Sequence, residues 1–266
     1  MGAPSVPIVR ERERPGKVFD SMDDPSNVRE QIAHYEKTAA KFDSSLWSFG
    51  NRDNRNHLVK VNAIARALGA ASGGLVLEVG TGTGLHGRWL LENTPVRYVG
   101  VDASEAMLRL ASRRLAGSEG RVVSLGIADA HRLPFADGAF DGAFCSGTLH
   151  HLSRPARGVA EIVRVTKPGG RIAVMEPNWK FPSTFLVGAS TPAERNVFKI
   201  SPATLEAWGR AAGLGDLRLD RVLYTPPAPR SWSRVWDRLD RGIAKVPGLR
   251  RMSIMLLLTG RVPDRG

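Results

Sequence analysis

Cysteine is almost absent from these 266 residues: Cys145 stands alone, which excludes an internal disulfide and any site built from several thiolates. No run of about 18 apolar residues occurs; the longest candidate, Ile254 to Leu258, has the length of a buried strand and falls far short of a membrane span. The opening residues, MGAPSVPIVRERERPGK, lack the apolar segment of a secretory signal, so a soluble cytoplasmic chain is expected. Internal repeats and low-complexity linkers are missing too. One domain with an N-terminal extension is the economical reading.

What the chain has in excess is positive charge. Lys and Arg number 38 against 26 Asp and Glu, a net of +12. Residues 195–266 hold 14 of those basic side chains and 6 of the acidic ones, net +8, so the remainder is nearly balanced. Such an excess suits nucleic acid, an anionic membrane surface or an acidic substrate, and equally describes a mere preference for arginine. With 42% hydrophobic and 24% charged residues, the composition is that of a folded globular chain.

Residues 1–24 mix Pro, Gly, Arg and Glu without apolar periodicity and read as a mobile lead-in. Residues 25–72 read as a helical N-terminal extension that covers the site, with helices at Pro25 to Phe42 and Asn54 to Ala71; in the second, Leu58, Val61, Ile64, Ala65 and Leu68 keep a helical period. From Gly73 to the end at 266 the pattern becomes strands alternating with helices. Strands are expected at Leu75 to Val79, Arg97 to Val101, Val122 to Ile127, Phe140 to Cys145 and Arg171 to Glu176. Helices are expected at Gly84 to Glu92, Ser104 to Leu115 and Ala156 to Val165. This alternation predicts βαβ units and a parallel sheet with helices on both faces. Later segments read as helix (Ser201 to Ala212), strand (Leu217 to Tyr224), helix (Trp232 to Ala244) and strand (Ser253 to Val262).

The most informative stretch runs from Leu75 to Gly87, a strand that enters glycines and then a helix. Glycines there permit a tight turn and let a ligand approach main-chain N–H groups. Gly82-x-Gly84-x-x-Gly87 matches the dinucleotide fingerprint, and Asp102 ends the next strand where it could hold ribose hydroxyls. Glu78 argues against a dinucleotide. A carboxylate beside the loop repels a pyrophosphate, whereas it attracts the ammonium of an amino-acid moiety such as that of S-adenosyl-L-methionine.

From about Tyr35 to Val262 the sequence resembles the class I S-adenosylmethionine-dependent methyltransferases, in particular the small-molecule and lipid subgroup with the methyltransferase type 11 domain. Five motifs in order carry the resemblance. Glu78-Val-Gly80-Thr81-Gly82-Thr-Gly84 is similar to the family's cofactor loop. Val101-Asp102-Ala103-Ser-Glu-Ala-Met107 resembles the second motif, whose acid takes both ribose hydroxyls and whose methionine flanks the adenine. Ala128-Asp129-Ala130 and the following Leu133-Pro134-Phe135 look like the third, where the acid and its neighbour meet the adenine edge. Phe140 to Leu152 resembles the fourth, whose strand end, here Ser146, contacts the methionine part. Arg164 to Arg171, with Gly169 and Gly170, is similar to the turn before the fifth strand. The resemblance implies a Rossmann-like, seven-stranded, mostly parallel α/β sheet, S-adenosyl-L-methionine as cofactor and methyl transfer as the activity.

In that family the acceptor side is lined by the ends of the strands at 140–145 and 171–176, which offer His150, His151 and Glu176. Members with a similar His-His pair imply a histidine that accepts the acceptor's proton and a carboxylate that orients it. Asn/Asp-Pro-Pro-Tyr/Phe is replaced here by Cys145-Ser-Gly-Thr148, which argues against methylation of an adenine or glutamine nitrogen. No His/Cys/Asp cluster has metal-ligand spacing, so no metal is expected, and His34, His57, His86 and His131 read as ordinary surface or packing residues. Trp179, Phe181, Phe185, Phe198, Trp208, Trp232 and Trp236 predict an aromatic acceptor lid. Arg230 to Arg251 interleaves basic and apolar residues; the reading favoured is a face packed on the domain, with peripheral membrane contact as the alternative. The expected acceptor is a small molecule methylated on oxygen, such as a natural product, sugar or lipid-linked compound. Methylation of tRNA and C-methylation of a lipid or quinone stay open, although no appended RNA-binding module is present.

Overall fold

The aliphatic runs at 75–79, 97–102, 122–127 and 140–146 are too short and too apolar to stand alone in water, and they lie side by side as parallel strands buried between helices. In the computed structural model, which describes residues 8–9, 33–37, 39, 54–118, 120–225 and 230–264, the elements follow in the order β1 (Ile8–Val9), α1 (Arg55–Leu68), β2 (Leu75–Val79), α2 (Leu85–Asn93), β3 (Arg97–Asp102), α3 (Glu105–Leu115), β4 (Val122–Ile127), β5 (Phe140–Ser146), α4 (Pro155–Val165), β6 (Thr166–Pro177), α5 (Pro182–Ser190), α6 (Pro202–Ala211), β7 (Gly215–Val222), α7 (Ser233–Lys245) and β8 (Met255–Arg261).

The strand order is β1-β4-β3-β2-β5-β6-β8-β7, with β8 antiparallel to both its neighbours. Apart from the two-residue β1, this is the seven-stranded, mostly parallel sheet that the sequence implies. Successive crossovers run outward from β2 in one direction and from β5 in the other, so the sheet reverses its winding between them. Ligands of open α/β sheets bind at the carboxyl ends of the strands flanking such a reversal. Val79, Asp102, Ile127, Ser146 and Pro177 end the parallel strands on that edge.

Each face of the sheet buries its own helices. Leu77, Val79, Ala143, Cys145, Ile172 and Val174 point to one side, against Val159, Ile162 and Val165 of α4 and Leu205 of α6. Val76, Phe144, Ala173 and Met175 point to the other, against Val61, Ile64 and Leu68 of α1. Each Val, Leu, Ile, Phe or Met among them contributes about 1.5–3 kcal/mol of burial. Cys145 is a fully buried core residue, as its apolar strand predicts. Caps set the helix starts: Asn54 accepts from Asn56 N–H, Ser104 from Met107 N–H (3.2 Å), and Ser201 with Thr204 forms a capping box ahead of Pro202.

Three readings change. Ile8–Val9, placed by sequence in a mobile lead-in, pair in parallel with Leu125 and Gly126 at the open edge of β4. The strand expected from Arg171 starts at Thr166, because Gly169 N–H donates to Val262 and Val262 N–H to Gly170, drawing the turn itself into the sheet. Pro182–Ser190 and the 3₁₀ stretch Pro192–Lys199, given no secondary structure from sequence, form a helical insert above the end of β6. Of the helix expected at 25–42, residues 33–37 and 39 are helical and the rest lies outside the described residues.

Candidate active site

The loop between β2 and α2 is held by main chain. Gly80 and Thr81 N–H both donate to Val101 carbonyl oxygen (2.8 and 2.9 Å), and Gly84 N–H to that of Thr81. Its glycines serve different ends. A Cβ on Gly80 would lie 2.3 Å from Thr148 Oγ1, and one on Gly84 would lie 3.0 Å from Ala111 Cβ, so both are packed against neighbouring elements. Gly82 is left-handed at φ +52°, and a Cβ there would meet nothing within 4 Å.

Glu78, expected from sequence to face a cofactor's ammonium, is fully buried beneath this loop. It accepts from Thr81 Oγ1 (3.1 Å) and from the Tyr98 hydroxyl, and it pairs with His86 Nδ1 (3.1 Å). Burial pushes its carboxyl up to about 8, against the pull of the Tyr98 and Thr81 bonds. Thr81 likewise turns its side chain inward, leaving only its main chain toward the open side. His86, read as an ordinary residue, is thus part of this buried set, together with Lys60, whose ammonium burial lowers to about 8.

Asp102 ends β3 at the rim of the loop. Its Oδ2 accepts from Gly82 N–H (2.8 Å) and its Oδ1 from Ser104 N–H (2.9 Å), while burial raises the carboxyl to about 6. Met107 is buried on α3, one turn past Ala103. Asp129 follows β4, and its Oδ1 takes both the N–H and the Nδ1 of His131 (2.9 and 2.8 Å). Since Arg154 N–H donates to His131 Nε2 (3.2 Å), the ring proton sits on Nδ1. His131 therefore fixes Asp129 and is no bystander. Ala130 packs beside the core and Ser146 closes β5.

The opposite wall gathers charge. Glu176, fully buried near the end of β6, accepts from Thr148 N–H (2.9 Å), Leu149 N–H (2.8 Å) and His150 Nδ1 (2.7 Å), so it pins the single 3₁₀ turn Leu149–His151 after β5. His150 Nε2 faces Glu194 Oε2 (3.2 Å), from the stretch that follows α5. Burial alone would lower the His150 imidazole, but carboxylates at both nitrogens reverse this and hold it at about 9. Glu194 falls to about 2 against its burial because His150 and His151 stabilise its anion. The His151 ring lies tilted at 44° to that of His150, with 3.8 Å between centroids, and its Nε2 lies 2.8 Å from the Tyr35 hydroxyl. Burial and the cation beside it depress His151 to about 3, which leaves it neutral.

The structure thus separates two roles that the sequence left merged: Glu176 and Glu194 hold His150 as a cation, and His151 stays a neutral imidazole in contact with a phenol. Tyr35 and Glu194 were missed as site residues. Neither sits in a motif, and they lie 116 and 43 residues from His151, a separation that only the fold closes. The same closure puts ligand atoms of His150, His151 and Glu194 within 4.8 Å of one another, which corrects the reading that no cluster has metal-ligand spacing. As drawn, that cluster is an ion-paired proton network; a cation would require His150 to release its Nε2 proton. Among the aromatics, Phe181 and Trp208 pack on the core, whereas Trp179, Phe185 and Phe198 meet edge to face (6.0 and 5.6 Å) in the insert that carries Glu194.

Comparison with known proteins agrees with this geometry. Residues 77–174 match the methyltransferase domain family. A demethylmenaquinone methyltransferase of Parafrankia sp. (strain EAN1pec) is 34% identical over 216 residues, 69% of this chain and 80% of that protein. One from Clavibacter sepedonicus is 35% identical over 164 residues, 62% of this chain and 59% of the relative, so the chain spans little more than half of that relative's length. In fold, the chain resembles Haemonchus contortus phosphoethanolamine N-methyltransferase 2 in complex with S-adenosyl-L-methionine, with a TM-score of 0.63 at 18% identity over 89% of this chain and 60% of that one. On these relatives and this sheet, the chain belongs to the class I S-adenosyl-L-methionine-dependent methyltransferases.

Proposed function

We infer that the chain methylates a small, largely apolar acceptor bearing a ring hydroxyl, and that the methyl is placed on the ring carbon beside that hydroxyl. The observation that carries this reading is the neutral His151 at 2.8 Å from Tyr35, held beside a histidine that two carboxylates keep cationic. An aliphatic amine that is already free needs no such cation; a ring hydroxyl reacts as its anion, which makes both the oxygen and the adjacent carbon nucleophilic and which a cationic His150 stabilises. A Geobacter sulfurreducens relative named a ubiquinone/menaquinone biosynthesis C-methyltransferase, beside those named demethylmenaquinone methyltransferases, supports the carbon over the oxygen that the sequence alone favours.

The residues fit the cofactor. Gly82 leaves an open, left-handed approach, the Asp102 carboxylate accepts from Gly82, Ser104 and Ala103 N–H with acceptor capacity to spare, and among the described residues the hydrogen bonds of Asp129 fall on Oδ1. In this reading Gly80, Thr81, Gly82 and Gly84 hold the amino-acid part through their main chain, with Ser146 across the crevice. Asp102 with Ala103 takes the ribose, and Met107, Asp129 and Ala130 take the adenine. Glu78 supports the loop from below. When bound, S-adenosyl-L-methionine supplies an electrophilic methyl on a sulfonium, with a good leaving group already in place.

The chain's own part is proton handling and alignment. Tyr35 also hydrogen-bonds the Glu194 carboxylate, which can only accept, so an acceptor hydroxyl taking the place of Tyr35 would lie beside His151 Nε2 and the His150–Glu194 pair, where the His150 cation favours its anion. That cation, its ring centroid 3.8 Å from that of His151, disfavours a proton on His151, so this imidazole orients the hydroxyl and the His150 charge stabilises its anion. Glu176 acts through His150 and is a positioning residue. The aromatic insert of Trp179, Phe185 and Phe198 suits an apolar ring and excludes water from it. The test is incubation with cofactor and a reduced, demethylated naphthoquinone. The expected product gains one methylene mass and shows a carbon-bound methyl by NMR. An O-methyl ether moves the acceptor atom to oxygen, and methylation of tRNA alone would sink the reading.

A further inference from the structure

The sequence reading packs the amphipathic face of residues 230–251 against the domain; the structure turns that face outward. No residue of α7 is buried. At about 100° per residue, its side chains sort into three stripes. Asp237 and Asp240 form the inward stripe, where both meet the buried Arg55 guanidinium of α1 (2.6 Å each) and Asp240 also accepts from Tyr224 N–H. Half-buried Trp236 and Ile243 adjoin them. Trp232, Val235, Leu239 and Val246 form the next stripe and stand in water, Trp232 58% and Leu239 45% exposed. Arg234, Arg238, Arg241 and Lys245 form the third, all exposed and without an ion pair among the described residues.

Arg55 therefore decides the orientation. By pairing with both acids of α7 it leaves the outward row of the helix cationic, beside an apolar edge. The edge continues into the turn Leu249–Met252, whose Leu249 and Met252 are likewise exposed on either side of Arg250 and Arg251. A contiguous apolar edge of this kind is costly in water unless something covers it. Four unpaired cations along one side match a negatively charged sheet of headgroups, and indole, leucine and valine match the acyl boundary beneath it. At 13 residues α7 is too short to cross a bilayer, and none of the described helices is long and apolar enough to do so.

We propose that α7 and the Leu249–Met252 turn dock the protein flat on an anionic lipid bilayer, apolar edge down and arginine row against the headgroups. The position is consistent with access to the acceptor wall. Asn178, two residues past Glu176, donates through its amide to Arg251 and Ser253 carbonyl oxygens (3.0 and 2.9 Å), so the docking turn stands at the sheet end that carries His150 and Glu176. The docking does not depend on which acceptor is methylated.

The experiment is flotation of the full chain with phosphatidylcholine vesicles and with vesicles of equal parts phosphatidylcholine and phosphatidylglycerol, in low and high salt. Binding to the anionic vesicles alone is expected, weakened about fivefold by each of Arg234→Gln and Arg238→Gln and lessened by salt. Leu239→Glu, at an exposed position, should leave the melting temperature unchanged while lowering binding about tenfold or more. Overturning results are equal binding to neutral vesicles, no binding to either, or undiminished binding by Leu239→Glu. So are a dimer in sedimentation that Leu239→Glu dissociates, which would assign the edge to a second copy, and RNA binding that the arginine variants abolish without any vesicle binding.

Discussion

Three glycines within five residues of one another look alike in the sequence and differ in what they permit. Gly80→Ala drives a methyl into Thr148 and should lower stability by several kcal/mol, as overpacking between fixed elements does. Gly82→Ala meets no neighbour, so its cost is the left-handed backbone, about 1–2 kcal/mol, while the added methyl stands where a ligand must come close. Titration calorimetry with S-adenosylhomocysteine beside a thermal melt separates the two: Gly82→Ala should lose far more affinity than stability, and normal binding by it would remove the loop from the cofactor site. His150 makes a second prediction. Its imidazole rises from the ordinary 6.5 to about 9 in the folded chain, so the stability it contributes is fully present below 6.5 and is lost as pH climbs through 9. Glu194→Gln removes one of the two carboxylates that hold it there, and the fall in melting temperature should start at lower pH than in the parent chain. Superimposable curves would mean that His150 is not held as a cation.

At the scale of elements, α7 is fastened mainly by ions where its neighbours are fastened by apolar packing. Arg55→Met leaves Asp237 and Asp240 without their partner. With Asp237 partly in water, the loss is about 1–3 kcal/mol, roughly ten- to a hundredfold in local opening. Hydrogen exchange should quicken across Ser233–Lys245 and stay unchanged in β2, β5 and β6; uniform exchange would show that Arg55 holds the whole domain instead. This ion clasp also marks where the sequence stops being readable. Elements whose side chains alternate or recur against one continuous core, such as Leu75–Val79 or Val61-Ile64-Leu68, announce themselves through local period, and caps such as Ser104 and Ser201 give their starts. Glu78 was legible as a loop residue, yet its direction was not, because which way a strand-end carboxylate points depends on Tyr98 and His86 arriving from other elements. Tyr35, Glu194 and Arg55 have no local signal at all. Each acquires its role from a partner more than 40 residues away, and only the closed fold states that distance.

Across the whole molecule the basic excess resolves into a direction. The acids Asp102, Asp129, Glu176 and Glu194 lie along the carboxyl edge of the sheet, whereas the arginines of α7, without an ion pair among the described residues, face outward, so the acids gather at the crevice and the basic excess at the surface of α7. Over that crevice runs the helical stretch at 33–37, which touches both of its halves through consecutive residues. Tyr35 meets His151 on the acceptor side, and Glu36 accepts from Ser104 Oγ and Ala106 N–H (2.9 and 3.0 Å) on the cofactor side. Neighbours on one backbone cannot part company by more than a few ångström, so releasing either contact strains the other, and both sides of the crevice uncover together. On the proposed assignment of the site, spent cofactor and methylated product would both leave by the lifting of this one segment. The expected signature is a kcat that falls as solvent viscosity rises and that Glu36→Gln, by loosening the hold on Ser104 and Ala106, increases along with KM; a kcat indifferent to viscosity would place the slow step in the chemistry. The pairing of two adjacent side chains would make the pace of a methyl transfer a property of how quickly a cover can be raised.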